Sequence, residues 1–139
     1  MPAICVTELK YTCLIASKRW YITYLPAVVL TVGIAVLSLM ESPYVPEALT
    51  GKDKVLHGAM YGVLAVAWLV PIASRRSWRT CLNVWVAVTV YGALMEVLQR
   101  YCTLTRSGEM ADLYADAIGA MVGVTIVFVI ASLRRIHKH

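Results

Sequence analysis

Four long apolar runs dominate this chain of 139 residues and leave few folds open to it. A helix that crosses the hydrocarbon core of a bilayer needs about 20 predominantly apolar residues. Four segments reach this length, approximately residues 21–40, 55–73, 80–98 and 113–133. Because 60% of the residues are hydrophobic and the mean hydropathy is +0.69, we predict an all-α integral membrane bundle of four transmembrane helices.

The lysine and arginine residues predict the orientation of these helices. The N-terminal tail, the second loop and the C-terminal tail hold most of them, whereas the first and third loops hold only Lys52, Lys54, Arg100 and Arg106. Basic residues stay on the cytoplasmic side, so both termini are expected there and the first and third loops outside. We divide the chain into a cytoplasmic N-terminal tail (1–19), a four-helix membrane domain (20–133) and a basic cytoplasmic tail (134–139).

Charge and cysteine usage exclude several classes of partner. The net charge of +5 does not indicate a nucleic-acid partner, because the basic residues flank the apolar runs. Cys5, Cys13, Cys81 and Cys102 form no C-x-x-C motif and have no zinc-type spacing. The sequence therefore predicts no metal, no cofactor and no disulfide framework.

Three of the predicted helices carry polar side chains near their outer ends. The second begins DKVLHGAMYGVL, the third ends YGALMEVLQR, and the fourth begins ADLYADAIGAMVGV. Side chains three or four positions apart share a helix face. The polar side chains pair on this spacing as His57 with Tyr61, Glu96 with Gln99, and Asp112 with Asp116.

The depth of these residues predicts that they meet. At about 1.5 Å per residue, His57, Glu96 and Asp116 each lie roughly 5 Å inside their helix ends. An acid at the centre of a membrane helix costs about 2.5–3.5 kcal/mol, so these groups should face the bundle interior and find partners. Arg106, in the outer loop LTRSGEM, is the expected bidentate partner of Glu96 or Asp112. Asp112 is alternatively an N-cap of the fourth helix, whereas Asp116 lies too deep to be one.

Glycines fall on the same helix faces as the polar residues. G-x-x-x-G spacing lets two membrane helices approach closely. Two pairs have this spacing, and a fifth glycine precedes Glu96 by one turn. The predicted packing glycines are Gly58, Gly62, Gly92, Gly119 and Gly123.

Taken together, DKVLHGAMYGVL and EVLQRYCTLTRSGEMADLYADAIGAMVG resemble the VanZ-like family over roughly residues 20–133. That family combines D-K-x-x-H-x-x-x-Y on one span with E-x-x-Q on the next, an Arg in the following loop, and D-x-x-x-N-x-x-G. The matching positions here are Asp53, Lys54, His57, Tyr61, Glu96, Gln99, Arg106, Asp112 and Gly119. Asp116 stands where the family usually has Asn, so detailed chemistry does not transfer at that position.

The resemblance implies a small multi-pass protein of the bacterial cytoplasmic (inner) membrane. It also implies a place in the cell envelope and an influence on sensitivity to glycopeptide antibiotics such as teicoplanin. It implies no particular reaction, because the molecular mechanism of the family is not established.

Two functions use the predicted layer of polar side chains near the outer helix ends as a site. In the first, which we favour, the layer binds a lipid headgroup, a lipid-linked cell-wall precursor or a glycopeptide, and Arg106 contacts an anionic group. In the second, His57, Glu96 and Asp116 supply acid/base chemistry to an enzyme that acts on a lipid-linked substrate at the outer leaflet. A metal held by these three side chains is a variant of the second function, disfavoured because they have no spacing signature.

Two further interpretations need no outward-facing site. A small transporter would also use intramembrane acids, but the cytoplasmic halves of the spans offer no polar path. Alternatively, the layer only holds four helices together. The sequence leaves the oligomeric state open.

Overall fold

The computed structural model describes residues 3–40, 53–75, 77–103 and 109–136, and the regular structure in these ranges is helical throughout. The elements are α1 (Ala3–Leu39), α2 (Asp53–Leu69) with a 3-10 segment (Val70–Arg75) directly after it, α3 (Trp78–Cys102) and α4 (Met110–Ile136).

Each helix, with the 3-10 segment counted as part of α2, contains one stretch long and apolar enough to cross a membrane. These stretches are Tyr21–Leu39, Lys54–Ile72, Trp78–Cys102 and Met110–Arg134. The predicted all-α class with four membrane-spanning helices is therefore confirmed. The side of the membrane on which each end lies stays a prediction.

The helix boundaries follow from local chemistry. α1 begins at Ala3, within the segment predicted as an N-terminal tail. It continues through Pro26 to Leu39. Pro71 lies in the 3-10 segment, where α2 has already ended. Ser77 caps α3, because its Oγ accepts a hydrogen bond of 3.3 Å from the backbone N–H of Thr80.

The contact between α2 and α4 is the most extensive in the bundle, and glycines make it possible. A Cβ atom at Gly119 would overlap the backbone of Gly58, and one at Gly123 would overlap the backbone of Gly62. A Cβ atom at Gly62 would lie 3.0 Å from the carbonyl oxygen of Gly119. The two helices therefore touch backbone to backbone, the kind of approach that small residues allow in membranes.

Side-chain hydrogen bonds connect the other helices. Tyr91 on α3 donates its hydroxyl to the carbonyl oxygen of Thr31 on α1 at 2.6 Å, and the Trp68 indole on α2 donates to Thr31 Oγ1 at 3.2 Å. The Trp85 indole on α3 donates to the carbonyl oxygen of Ala117 on α4 at 3.0 Å. Such contacts satisfy polar groups that would otherwise face hydrocarbon.

The outer faces of the helices are apolar. Large side chains such as Val32, Val90, Ile118 and Ile126 are more than half exposed. In water this surface would promote association with other molecules. Lipid tails are as apolar as these side chains and solvate them, as expected for a bundle that lies in a bilayer.

Candidate functional site

The centre of the candidate site is a pair formed by His57 on α2 and Asp116 on α4. His57 Nδ1 lies 3.2 Å from Asp116 Oδ1, within hydrogen-bond distance. The Asp116 side chain is fully buried, and the His57 side chain is 14% exposed. Both residues lie next to the contact between Gly58 and Gly119. Gly58 directly follows His57, and Gly119 follows Asp116 by three residues, which places it on the same face of α4. The close approach of the two backbones therefore brings the imidazole to the carboxylate.

Glu96 on α3 completes a cluster of three ionisable side chains. It is buried, and its Oε2 accepts a 2.8 Å hydrogen bond from the backbone N–H of Glu109. One ligand atom each from His57, Glu96 and Asp116 can be chosen so that all three lie within 4.8 Å of one another. Three different helices thus bring an imidazole and two carboxylates to one level of the bundle, which we call the polar layer.

Gly92 lets the Asp116 and Tyr61 side chains pack closely against the backbone of α3. A Cβ atom at Gly92 would lie 2.9 Å from Asp116 Oδ2 and 3.1 Å from the ring of Tyr61. Asp116 Oδ2 is buried and has no hydrogen-bond partner among the described residues. A carboxylate oxygen in this setting is an acceptor for a donor or a cation from outside the described part of the chain.

Lys54, Glu109 and Asp112 form the rim of the polar layer. Lys54 Nζ lies 3.6 Å from Glu109 Oε2 and 3.9 Å from Asp112 Oδ1. The Lys54 and Glu109 side chains are more than half exposed, so these ion pairs contribute little stability. These ion pairs instead hold the Lys54 ammonium group beside the acidic side chains at the edge of the cluster.

Asp112 does not cap α4, because the helix begins two residues earlier, at Met110. It lies in the first turn, and its backbone N–H donates to the carbonyl oxygen of Glu109 at 3.1 Å. An acidic side chain in the first turn is favoured by the helix dipole by about 0.3–1 kcal/mol. The structure thus replaces the cap interpretation with a first-turn acid that faces Lys54.

The other residues singled out from the sequence have separate positions. Tyr61 is buried, and its ring centroid lies 6.1 Å from that of Tyr91. Gln99 points to α1 rather than to the cluster, since its Nε2 donates to the carbonyl oxygen of Ser38 at 3.1 Å. Arg106, the expected partner of the acids, lies outside the residues that the structure describes.

The polar residues expected to form the site did not include Glu109, or Lys54, which was named only as a position of the family motif. Lys54 precedes His57 by three positions on α2, so helical spacing could have placed it on the same face. The role of Glu109 comes from its backbone amide, which no sequence pattern reveals.

The fold and the polar layer define a multi-pass membrane protein with an ionisable cluster near one end of its helices. A model of the VanZ/LLP1 family matches residues 25–131, which is most of the 139 residues. The chain belongs to the VanZ/LLP1 family, as the motifs around His57 and Glu96 indicated. No curated protein and no solved structure matches the chain.

Proposed function

We propose that this VanZ/LLP1 protein binds the headgroup of a lipid or of a lipid-linked cell-wall precursor at the polar layer. We further propose that this binding changes the sensitivity of the cell to glycopeptides such as teicoplanin. One observation carries the proposal: an oxygen of the fully buried Asp116 carboxylate has no hydrogen-bond partner among the described residues.

The chemistry of the polar layer favours a polar ligand. A buried acceptor without a hydrogen bond costs free energy, and the cost rises where no water is near. A ligand that supplies donors, such as the hydroxyls of a sugar or an ammonium group, removes that cost. Lys54 at the rim offers a positive charge to a phosphate. The layer therefore suits a headgroup that carries both donors and an anionic group.

A groove lower in the bundle favours an amphiphilic ligand over a soluble one. It has a volume of about 480 Å³ and is lined mainly by apolar side chains of α2 and α3, including Leu64, Val84 and Val88. Tyr91 lies at the end of the groove nearest the polar layer. Glu96 follows Tyr91 by five residues, or about 7.5 Å along the helix axis. An acyl or polyprenyl chain in this groove would leave its headgroup close to the polar layer.

The proposed orientation places the polar layer at the outer surface. It rests on the lysine and arginine distribution, which assigns the loops next to the layer to the outside. A lipid-linked cell-wall precursor displays its headgroup on that side of the membrane.

Resistance measurements in a teicoplanin-susceptible Gram-positive host test the proposal. The host would express the intact chain, Glu96→Gln, Arg106→Ala or Gly92→Ala at matched membrane levels. Gly33→Ala is the matched control, because a Cβ atom at Gly33 meets nothing within 4 Å. We expect the intact chain and the control to raise the inhibitory concentration, and the other variants to lose the effect. No rise with the intact chain would reject the glycopeptide role.

Native mass spectrometry tests the binding step directly. The purified chain in detergent would be mixed with a polyprenyl-linked disaccharide-peptide precursor and, separately, with phospholipids. We expect Gly92→Ala to bind less of the ligand than Gly33→Ala, because its methyl group would displace the Asp116 carboxylate from its position. Equal binding by the two variants would place the ligand elsewhere.

The geometry of His57 and Asp116 also supports a second candidate, an enzyme that acts on a lipid-linked substrate. An imidazole held by a carboxylate and next to a second carboxylate, Glu96, is an arrangement that can accept and return a proton. Product formation from a labelled lipid precursor that His57→Ala abolishes without loss of folding would select this candidate over simple binding.

A further inference from the structure

We propose that His57, Glu96 and Asp116 bind one divalent transition-metal ion. The expectation of no metal rested on local spacing along the sequence. Spacing carries no information about ligands that come one each from α2, α3 and α4. In the folded chain, ligand atoms of all three residues lie within 4.8 Å of one another.

The distances in the cluster suit shared coordination. Imidazole nitrogens and carboxylate oxygens lie about 2.0–2.2 Å from a bound Zn²⁺, so two donors to one ion are roughly 3–3.5 Å apart. His57 Nδ1 and Asp116 Oδ1 lie 3.2 Å apart, which fits this range without any movement. A ligand atom of Glu96 lies within 4.8 Å of one from each of the other two residues, so a small side-chain adjustment would bring it to the same ion.

The second observation is the state of the Asp116 carboxylate. This side chain is fully buried, and its Oδ2 has no hydrogen-bond partner among the described residues. A cation bound in the cluster would satisfy that oxygen. The position facing it on α3 is Gly92, where a Cβ atom would lie 2.9 Å from Oδ2. A glycine at this position is what allows Oδ2 to lie so close to the backbone of α3.

The charges of the three ligands balance those of the ion. A neutral imidazole and two carboxylates carry a net charge of −2, so a divalent ion makes the group neutral. Neutrality matters here, because an unbalanced charge inside a membrane protein is expensive. Two carboxylates placed together without a cation would repel each other at the same depth.

The surroundings of Glu96 add a feature common to metal sites. Carboxylates that bind metals are usually held by hydrogen bonds from outside the ligand set. The backbone N–H of Glu109 holds Glu96 Oε2 at 2.8 Å, which restricts the orientation of this carboxylate.

The donor set indicates which ions to expect. Imidazole suits Zn²⁺ and other transition metals, and carboxylates suit Mn²⁺ as well as Mg²⁺. One nitrogen and two or more oxygens therefore favour Zn²⁺ or Mn²⁺ over Mg²⁺. Three protein ligands leave at least one position open on the ion. This inference deepens the proposed function: with the ion bound, the headgroup would contact the cluster through an oxygen at that open position and not by donating to Asp116 Oδ2. It rests on the proposed function only for that headgroup oxygen.

Titration calorimetry of the purified full-length chain in detergent tests the metal site. The chain would first be treated with a chelator, freed of any affinity tag, and then titrated with Zn²⁺, Mn²⁺ and Mg²⁺. His137 and His139 would be replaced by Ala in every variant, because two histidines in a tail can bind zinc by themselves. We expect one Zn²⁺ or Mn²⁺ per chain and at least tenfold weaker binding of Mg²⁺.

Two ligand variants and one control make the result specific. Glu96→Gln and His57→Gln preserve size, and each should weaken binding by at least tenfold. Gly33→Ala changes α1, where the new Cβ atom meets nothing within 4 Å, and should leave the affinity unchanged. Far-UV circular dichroism and size-exclusion chromatography verify folding, and Glu96→Gln alone decides the test if His57→Gln does not fold. No stoichiometric binding, or equal affinity in Glu96→Gln and Gly33→Ala, would overturn the proposal.

Repeating the lipid-binding measurement with and without chelator separates the two proposals. Headgroup binding that persists in chelator, with no metal uptake, rejects the metal site and keeps the proposed function. Metal uptake that depends on Glu96, with no headgroup bound in either condition, keeps the metal site and rejects the proposed function.

Discussion

Replacement of Gly119 by alanine tests whether the contact between α2 and α4 holds the bundle together. The new Cβ atom would overlap the carbonyl oxygen of Gly58 and lie 2.6 Å from its Cα atom, whereas ordinary van der Waals contact begins near 3.4 Å. The two backbones must therefore move apart by about 0.8 Å or more, since neither is a flexible side chain that can rotate away. Because the contact runs along both helices, that movement loosens the packing over its whole length.

The expected cost of this change is large for one methyl group. Adding a methylene to a packed interior typically costs about 1–3 kcal/mol, and a clash with backbone belongs at the upper end of that range. We therefore expect Gly119→Ala to lower the free energy of unfolding by about 3 kcal/mol, or roughly a hundredfold in the folding equilibrium constant. Gly33→Ala adds the same methyl group to α1 without a neighbour within 4 Å, and it should cause no loss.

Unfolding by sodium dodecyl sulfate in mixed micelles, followed by tryptophan fluorescence, measures both variants. The chain has four tryptophans, so the signal needs no added label. The reasoning would be refuted if Gly119→Ala unfolded within about 0.5 kcal/mol of Gly33→Ala, the usual range for a substitution that touches nothing.

Three further predictions concern a buried amide, a rim ion pair and the orientation. Gln99→Leu removes the hydrogen bond to the carbonyl oxygen of Ser38, so the same unfolding assay should show a loss of about 0.6–1.7 kcal/mol; no loss would mean that this bond adds nothing. Lys54→Ala breaks exposed ion pairs and should change the free energy of unfolding by less than about 1 kcal/mol, whereas a larger loss would show that the rim is structural. A variant that keeps only Cys102, which is exposed at the end of α3, should react with a membrane-impermeant maleimide in intact cells, whereas the matched variant that keeps only buried Cys81 should not. Labelling of Cys102 only after cell lysis would reverse the predicted orientation.

The helices were predictable because a bilayer permits few backbone structures. Without water, each backbone N–H and C=O must be satisfied within its own segment, so a long apolar run becomes a helix. The differences lie at the ends. The third span was predicted over residues 80–98, whereas α3 extends over Trp78–Cys102. Hydropathy falls where charged and polar residues begin, but the helix continues past them into the interface, where polar side chains are solvated.

The depth of the polar layer was predictable, but the partners within it were only partly so. His57 and Asp116 could be expected to meet, because an ionisable group inside a membrane faces the bundle and needs a partner. The turn of Gln99 toward Ser38 depends on the rotation of α3 about its axis, which helical spacing does not determine. Similarly, the hydrogen bond from the Glu109 amide depends on the path of the chain into α4.

Because α2 and α4 pack closely, the free-energy cost of bringing His57 and Asp116 together belongs to folding and not to ligand binding. Because the two backbones touch at Gly58 and Gly119, the imidazole and the carboxylate are fixed in position when the bundle folds. A molecule that arrives later meets groups that have already lost their conformational entropy and their hydration. Its affinity then depends on its own contacts and not on ordering the protein, which is the general advantage of a preorganised receptor.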